Sequence, residues 1–470
     1  MKTITALALL ISAAAATAAQ PSKMQLDNWA QWRGPLGSGV APNATPPAEF
    51  SETQNLKWKV AVPGEGFSTP IIWGDKIFLL TAVNTGKRVE PKPGDAAPAA
   101  KTEAPQPKAD ATQPPPGGRK GKGGFGGGGF GGGQAPTELY QFTVLCLDRK
   151  TGKTLWLKTA REEVPHEPRH GTSAFAASSP ATDGERLYAF FGSRGLHCFD
   201  LDGNIKWQQE YGKMRFQPQW GEGASPALHG DALLVNWDHA GSDFVAALDK
   251  RTGKQLWRTE RDTPTSWTTP FIVEHQGKPQ VVVSGSGIIR SYDLANGKEI
   301  WECGGMGQNT IPTPVTLDGV VYCMVGYQTK ALRAIRLGHT GNLTEKAEAI
   351  SWSLSRNTPY VASPLLYGNR IYVFGGLSAS LSCYDAKSGT AQFEGERLPG
   401  MGNIYASPLG AAGRVYTADL NGNVVVLKDG PAVEVLHSTK LDGGIAASPV
   451  AVGNELFLRT KGSLYCFAAK

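Results

Sequence analysis

The residues with the means to bind or react gather just ahead of a recurring proline. Glu65 and Phe67 precede Pro70, Arg169 and His170 precede Pro180, and Trp220 and Glu222 precede Pro226. Trp267, Asn309, Tyr360 and Asn403 stand a similar short distance before Pro270, Pro314, Pro364 and Pro408. Asn236, Asp238 and His239 fall in a polar interval between two apolar runs. If the repeat closes into a ring, these indoles, carboxylates, amides, imidazole and guanidinium form a collar around one mouth. A concave mouth rich in aromatics, with a few charged groups, is a default ligand site. The same polar side chains have a structural alternative, which is to hydrogen-bond neighbouring loops to one another.

Other chemistries lack their spacing. There is no Gly-x-Ser-x-Gly, no His-Glu-x-x-His and no phosphate-binding loop. His166 and His170 are four apart, but Pro165 and Pro168 rule out a helical metal pair. Asp200-Leu-Asp-Gly-Asn204 resembles the start of a calcium loop without its remainder, and reads as a tight turn. The formal charge of +6 comes partly from one Pro- and Gly-rich segment, which is a poor footprint for nucleic acid.

The elements that must position the collar are short strands. From Pro180 onward the prolines Pro226, Pro270, Pro314, Pro364, Pro408 and Pro449 recur at intervals of 41–50 residues. Each interval divides into four strands, as in Ser225–His229, 232–237, 244–248 and 255–258. The third and fourth are joined by one phrase, Ala247-Leu-Asp-Lys-Arg-Thr-Gly-Lys-Gln-Leu-Trp257, which returns at Cys146–Trp156, Cys198–Trp207 and Ser291–Trp301. A repeat of this length with four strands predicts an all-β, eight-bladed β-propeller of antiparallel blades. Trp58, Trp156, Trp207, Trp257, Trp301 and Trp352 are assigned to docking each blade on its neighbour.

The last unit ends at its third strand, Leu464–Ala469. The orphan strand 56–60 carries Trp58 at the fourth-strand position and is expected to close the ring there. Domain boundaries follow: a signal peptide at 1–19, an N-terminal extension at 20–55 and the propeller at 56–470. Within the first blade, residues 86–137 form a Pro/Gly-rich insertion whose composition cannot build a core. The protein is therefore expected to be exported to the periplasm or beyond, without a transmembrane segment, and to be a monomer. Cys146, Cys198, Cys383 and Cys466 share one repeat position with Ala247 and Ser291, so they read as small buried fillers. Cys303 and Cys323 lie outside that position, and a bridge between them is left open.

The Asp-x-x-Thr-Gly-x-x-x-Trp phrase resembles the repeat of the pyrroloquinoline-quinone (PQQ) type propellers. That superfamily holds quinoprotein alcohol and glucose dehydrogenases and an outer-membrane assembly lipoprotein of the Bam complex, which binds no cofactor. Trp32-Arg-Gly-Pro35 and Arg169-His-Gly-Thr172 resemble a subgroup of exported PQQ-like repeat proteins. The dehydrogenase resemblance implies PQQ with Ca²⁺, and Glu65, Glu222, Asp238, Asn309 and Asn403 carry suitable oxygens, though none aligns with that family's ligand set. No two cysteines are adjacent, as the dehydrogenases require, and no Cys-x-x-Cys-His haem site exists. The expectation is thus a non-catalytic scaffold binding a protein, small molecule or glycan through one face. The alternatives are a PQQ-dependent dehydrogenase of an alcohol or sugar, and a scaffold like the outer-membrane protein assembly factor.

Overall fold

The computed structural model describes residues 22–89, 136–216 and 219–469. The expected signal peptide and most of the 86–137 insertion lie outside them. Eight sheets follow one another in chain order, each with four antiparallel strands; the last takes its outer strand from the start of the chain, and the fourth gains a short parallel fifth strand from the segment leading to the outer strand of the fifth. The third is typical: Ala227–His229, Ala232–Asn236, Asp243–Asp249 and Gln255–Arg261, from the axis outward. The protein is an eight-bladed β-propeller. Among the described residues no helix is long and apolar enough to cross a membrane.

The repeat phrase is a docking device, and its register explains its composition. Cys146 pairs across the sheet with Trp156, Cys198 with Trp207, Ala247 with Trp257 and Cys466 with Trp58. Each slot opposite an indole is filled by a small side chain. The indole N–H then crosses to the turn of the next blade. Trp58 donates to the Arg149 carbonyl at 3.0 Å, Trp156 to Leu201 at 3.0 Å, Trp207 to Lys250 at 3.1 Å and Trp257 to Leu294 at 2.7 Å. Trp352 does the same to Ala386 at 2.9 Å. Trp301 departs from the pattern and donates to Gln280 of its own blade at 3.2 Å. The reason is that the following blade lacks the phrase. In its place Gly341–Asn342 adds a parallel fifth strand outside Trp301 and Glu302.

Strand Leu56–Ala61 pairs antiparallel with Ser463–Ala468 and supplies the fourth strand of the last blade. The second strand of the first blade runs past residue 86 to Arg88, which pairs with Glu138 at the start of the third strand. All six cysteines are buried and free, so Cys303 and Cys323 are not bridged. Burial pushes thiols such as Cys146 and Cys323 up to about 12.

The marker before each proline does more than fill space. Thr69, Ser179, Ser225 and Thr269 are joined in order, each backbone N–H donating to the next hydroxyl at 2.9–3.1 Å. Thr313, Ser363, Ser407, Ser448 and Thr69 continue the circuit at 2.9–3.2 Å. The proline supplies no N–H of its own and fixes the marker residue in extended backbone, which aims that residue's N–H at its neighbour. Only the step from Thr269 to Thr313 is missing among the described bonds. There the Trp32 indole donates to Thr313 Oγ1 at 3.0 Å.

Trp32 belongs to a segment that closes the axis below this circuit. Trp29 exchanges two backbone bonds with Ile72, and the carbonyl of Ala30 accepts from Thr182 at 2.8 Å. Gln31 Oε1 accepts from Leu228 N, and Gly39 O from Gly410 N, both at 3.0 Å. These partners stand two residues past the prolines, on the innermost strands. Arg33 is fully buried and donates to the carbonyls of Pro408, Ser38 and Pro364 at 2.9, 3.1 and 2.6 Å. With no carboxylate beside it, burial brings the guanidinium down to about 9.

Candidate functional site

Each innermost strand starts at the mouth, so the loops that enter it and the loops between second and third strands share one face. On that face lies a cavity of about 360 Å³. Its floor is Trp32 with the circuit hydroxyls of Ser225, Thr269, Thr313, Ser363 and Ser407. Its wall is aromatic: Phe67, Trp220, Trp267, Tyr327, Tyr360 and Tyr405, with His170 and Thr172. Because the segment carrying Trp32 seals the other end, the cavity is a cup and not a through-channel.

The wall is ordered by ring–ring contact. Phe216 stacks on Trp267 at 5.4 Å and 25°, and Trp267 lies nearly parallel to Trp220 at 6.1 Å and 27°. Tyr327 meets Trp220 edge-on at 5.6 Å, and Tyr360 packs against Tyr327 at 4.9 Å. The Trp267 indole donates to the Gly221 carbonyl at 2.6 Å, which fixes its ring plane. Beside Trp220, whose ring His170 meets edge-on at 6.3 Å, His170 Nδ1, Thr172 Oγ1 and Tyr405 OH form a chain of 2.7 and 2.8 Å contacts. Burial raises the Tyr360 phenol, with Tyr327 and Tyr405 adding to the effect, so it is neutral at physiological pH.

The collar residues divide. His170, Trp220, Glu222, Trp267 and Tyr360 line the cup. Among the described residues Glu222 is the only carboxylate lining it, and its oxygens are engaged. Oε2 accepts from Ser193 N at 2.7 Å, while Oε1 accepts from Ser193 Oγ at 2.7 Å and Arg194 Nη1 at 2.8 Å. Arg169 forms an ion pair with Glu65 outside the cup, and Glu65 instead borders a second, polar cleft between the last and first blades. Asp238 does not reach the mouth. It is wholly buried and receives Arg261 Nε at 2.7 Å, Arg261 Nη2 at 3.2 Å and Ser266 Oγ at 2.5 Å. Burial works against the Arg261 charge, but Asp238 and Tyr292 outweigh it and hold the guanidinium above its ordinary value. His239 beside it is lowered by burial. Asn309 takes a left-handed turn conformation, φ 55°, and Asn403 is an exposed loop residue whose carbonyl accepts from Leu420 N. Neither borders the cup.

Sequence reasoning missed Trp32 and Tyr327 as lining residues. Trp32 sits outside every repeat, and its one signal was its place in the Trp32-Arg-Gly-Pro35 motif, which does not tell where its ring lies. Tyr327 occupies the same kind of loop as Asp238, between second and third strands, and nothing in its neighbours distinguishes the inward residue from the buried one.

A family profile described as outer membrane protein assembly factor BamB matches residues 117–240 and 241–470. The outer membrane protein assembly factor BamB of Yersinia pestis is 26% identical over 231 residues, 43% of this chain and 53% of its own length. The chain thus spans about half the length of that curated relative. Among solved structures, the quinohemoprotein alcohol dehydrogenase of Comamonas testosteroni superposes with a TM-score of 0.59 at 10% identity, covering 94% of this chain and 81% of its own. A europium-containing methanol dehydrogenase gives 0.58 at 10% identity, covering 94% and 98%. At that identity the two dehydrogenases share the fold alone.

Proposed function

The chain belongs to the family of the outer membrane protein assembly factor BamB, and on that footing we propose that it is a non-catalytic scaffold of the cell envelope which holds a binding partner at the mouth of its ring. The observation that carries this reading is the chemistry of the cup. Its walls are aromatic, no Lys or Arg is among its described lining residues, and its one described carboxylate already accepts three hydrogen bonds from Ser193 and Arg194. A general base or metal ligand needs free lone pairs at the reacting position. Export to the periplasm belongs to the same proposal, since an envelope scaffold must reach that compartment.

The quinone of the dehydrogenase branch does not fit these residues. It is a tricarboxylate held beside a divalent cation, and among the described residues no Lys or Arg lines the cup to offset its charge. Among the described residues no group of three His, Cys, Asp or Glu side chains is arranged to hold a metal ion. Two measurements test the proposal. Adding PQQ and Ca²⁺ is expected to leave the melting temperature unchanged and to produce no alcohol-dependent dye reduction; a saturable shift with dye reduction would overturn the reading. Deleting the gene is expected to lower outer-membrane β-barrel protein levels, with restoration by the wild type and not by a Trp220→Ala, Trp267→Ala chain. Unchanged β-barrel levels in the deletion strain would refute the assembly role.

A further inference from the structure

The floor of the cup has a property that the scaffold reading leaves unused. Ser225, Thr269, Ser363 and Ser407 each accept a backbone N–H from the preceding blade, and Thr313 accepts the Trp32 indole. Each oxygen thus already accepts one hydrogen bond. Their own hydroxyl hydrogens have no acceptor among the described residues, although all five side chains are more than nine-tenths buried. All five side chains line the cup, so those hydrogens are within reach of an occupant there. The floor is a crown of neutral donors, and the Trp220 Nε1 hydrogen is a further buried donor without a partner.

Four kinds of occupant can be weighed against this crown. A cation finds ring faces to rest on but offers no acceptor to the crown hydrogens or to the Trp220 N–H, and strands them. An anion finds donors but no Lys or Arg among the lining residues, so its charge is buried uncompensated. A purely apolar group satisfies the indoles but strands five hydroxyls, each costing the desolvation of an unmade bond. A neutral polyol with apolar C–H faces meets both halves of the cup. Its oxygens take the crown hydrogens in place of ordered water, and its C–H faces lie on the near-parallel indoles of Trp220 and Trp267. At about 360 Å³ the cup lies at the small end of ligand sites, which limits the occupant to the end of a longer chain or a short free one.

We propose that the cup is a saccharide site, which takes a terminal neutral sugar against Trp220 and Trp267 with its oxygens on the Ser/Thr crown. The proposal rests on the reading of this mouth as a binding and not a catalytic site, and names the chemistry it accepts.

The test is calorimetric and fluorescence titration of the full chain with cellobiose, maltose, chitobiose and galacturonic acid. At least one neutral disaccharide is expected to bind saturably in the millimolar range or tighter, with indole fluorescence changing in step, and galacturonic acid is expected to bind at least tenfold more weakly. Trp220→Ala is expected to weaken the neutral sugar at least tenfold. Thr269→Val, which keeps the shape and removes one crown hydroxyl, is expected to weaken it severalfold. If either variant fails to fold, Tyr360→Phe and Trp220→Phe give the same comparison with less disturbance. No binding by any neutral sugar, equal binding of the uronic acid, or binding indifferent to the substitutions overturns the proposal. Proton NMR of the bound sugar separates the two readings: conversion of the sugar would refute non-catalytic binding while leaving the saccharide class standing.

Discussion

The tightest quantitative test of blade docking is Gly152→Ala. Gly152 lies in the turn of the first blade with φ 72°, a region that costs an L-residue about 1–2 kcal/mol. A Cβ there would stand 2.8 Å from Cδ2 and Cε3 of Trp58 and from Val60 Cγ1. Carbon atoms rest comfortably at about 3.5–4.0 Å, so the closing strand would have to withdraw, at an overpacking cost of about 1–3 kcal/mol. The expected loss is thus about 2–5 kcal/mol. Gly413→Ala is the control. It has φ 71°, and nothing lies within 4 Å of its added Cβ, so it carries the backbone cost alone. The gain from a stiffer unfolded chain is common to both and cancels in the difference. Urea unfolding followed by circular dichroism reads that difference, expected at about 1–3 kcal/mol. In a Trp58→Ala background the indole clash is gone while the contact with Val60 Cγ1 remains, so Gly152→Ala should cost less than in the wild type and still more than the control. Equal costs for Gly152→Ala and Gly413→Ala in the wild-type background, or no relief in the Trp58→Ala background, would refute the docking account.

Two further substitutions probe the buried charges near the cup. Burial pushes the Asp243 carboxyl from 3.8 up to about 6, and its Oδ2 accepts from Thr263 N at 2.8 Å. The folded state therefore holds that proton more tightly than the unfolded chain, so stability from this group rises as pH falls from 6 to 4 and is lost as pH climbs through 6. Asp243→Asn should flatten that window and raise stability at pH 7 by about 1–3 kcal/mol, measured by denaturation at several pH values; an unchanged pH profile would count against the raised carboxyl. Asp238→Leu leaves Arg261 buried without its carboxylate, at an expected cost of about 3–5 kcal/mol, and adding Arg261→Met should recover most of it. If Asp238→Leu unfolds no more easily than wild type, the pair is not the anchor described.

The blades were legible because their signal is local. An Asp-x-x-Thr-Gly turn, a small residue on one strand and an indole on the next describe a single hairpin, and eight hairpins in series leave a ring as the closed arrangement. Trp58 was legible for the same reason, since one residue of a fourth strand implies the other three. The fate of Trp301 was not, because its acceptor depends on a turn that the following blade has replaced. The collar was half legible. Position before the prolines places His170, Trp220, Glu222, Trp267 and Tyr360 around the mouth, but does not tell which polar groups are already spent. Asp238 reads as a free carboxylate until Arg261, at the end of the same blade's outer strand, folds back onto it. Glu222 reads as a ligand until Arg194 of the preceding blade arrives. Pairing between distant residues is three-dimensional information, and neither residue's neighbours in the chain carry it.

The markers before the prolines join architecture to site. Read along the chain they are small spacers; in the ring they become a circuit of acceptors, and their unspent hydrogens become the floor of a binding cup. The break between Thr269 and Thr313 is where the extension enters the circuit, with the Trp32 indole N–H taking the Thr313 oxygen that Thr269 leaves. Arg33, adjacent in sequence, ties the same segment to the carbonyls of two other blades. The extension thus does two things at once: it blocks the axis, and it adds an aromatic surface to a floor otherwise made of hydroxyls. With it, polar and aromatic surfaces meet in one blind cup, and that meeting is what selects a ligand carrying both C–H faces and neutral oxygens over one carrying charge.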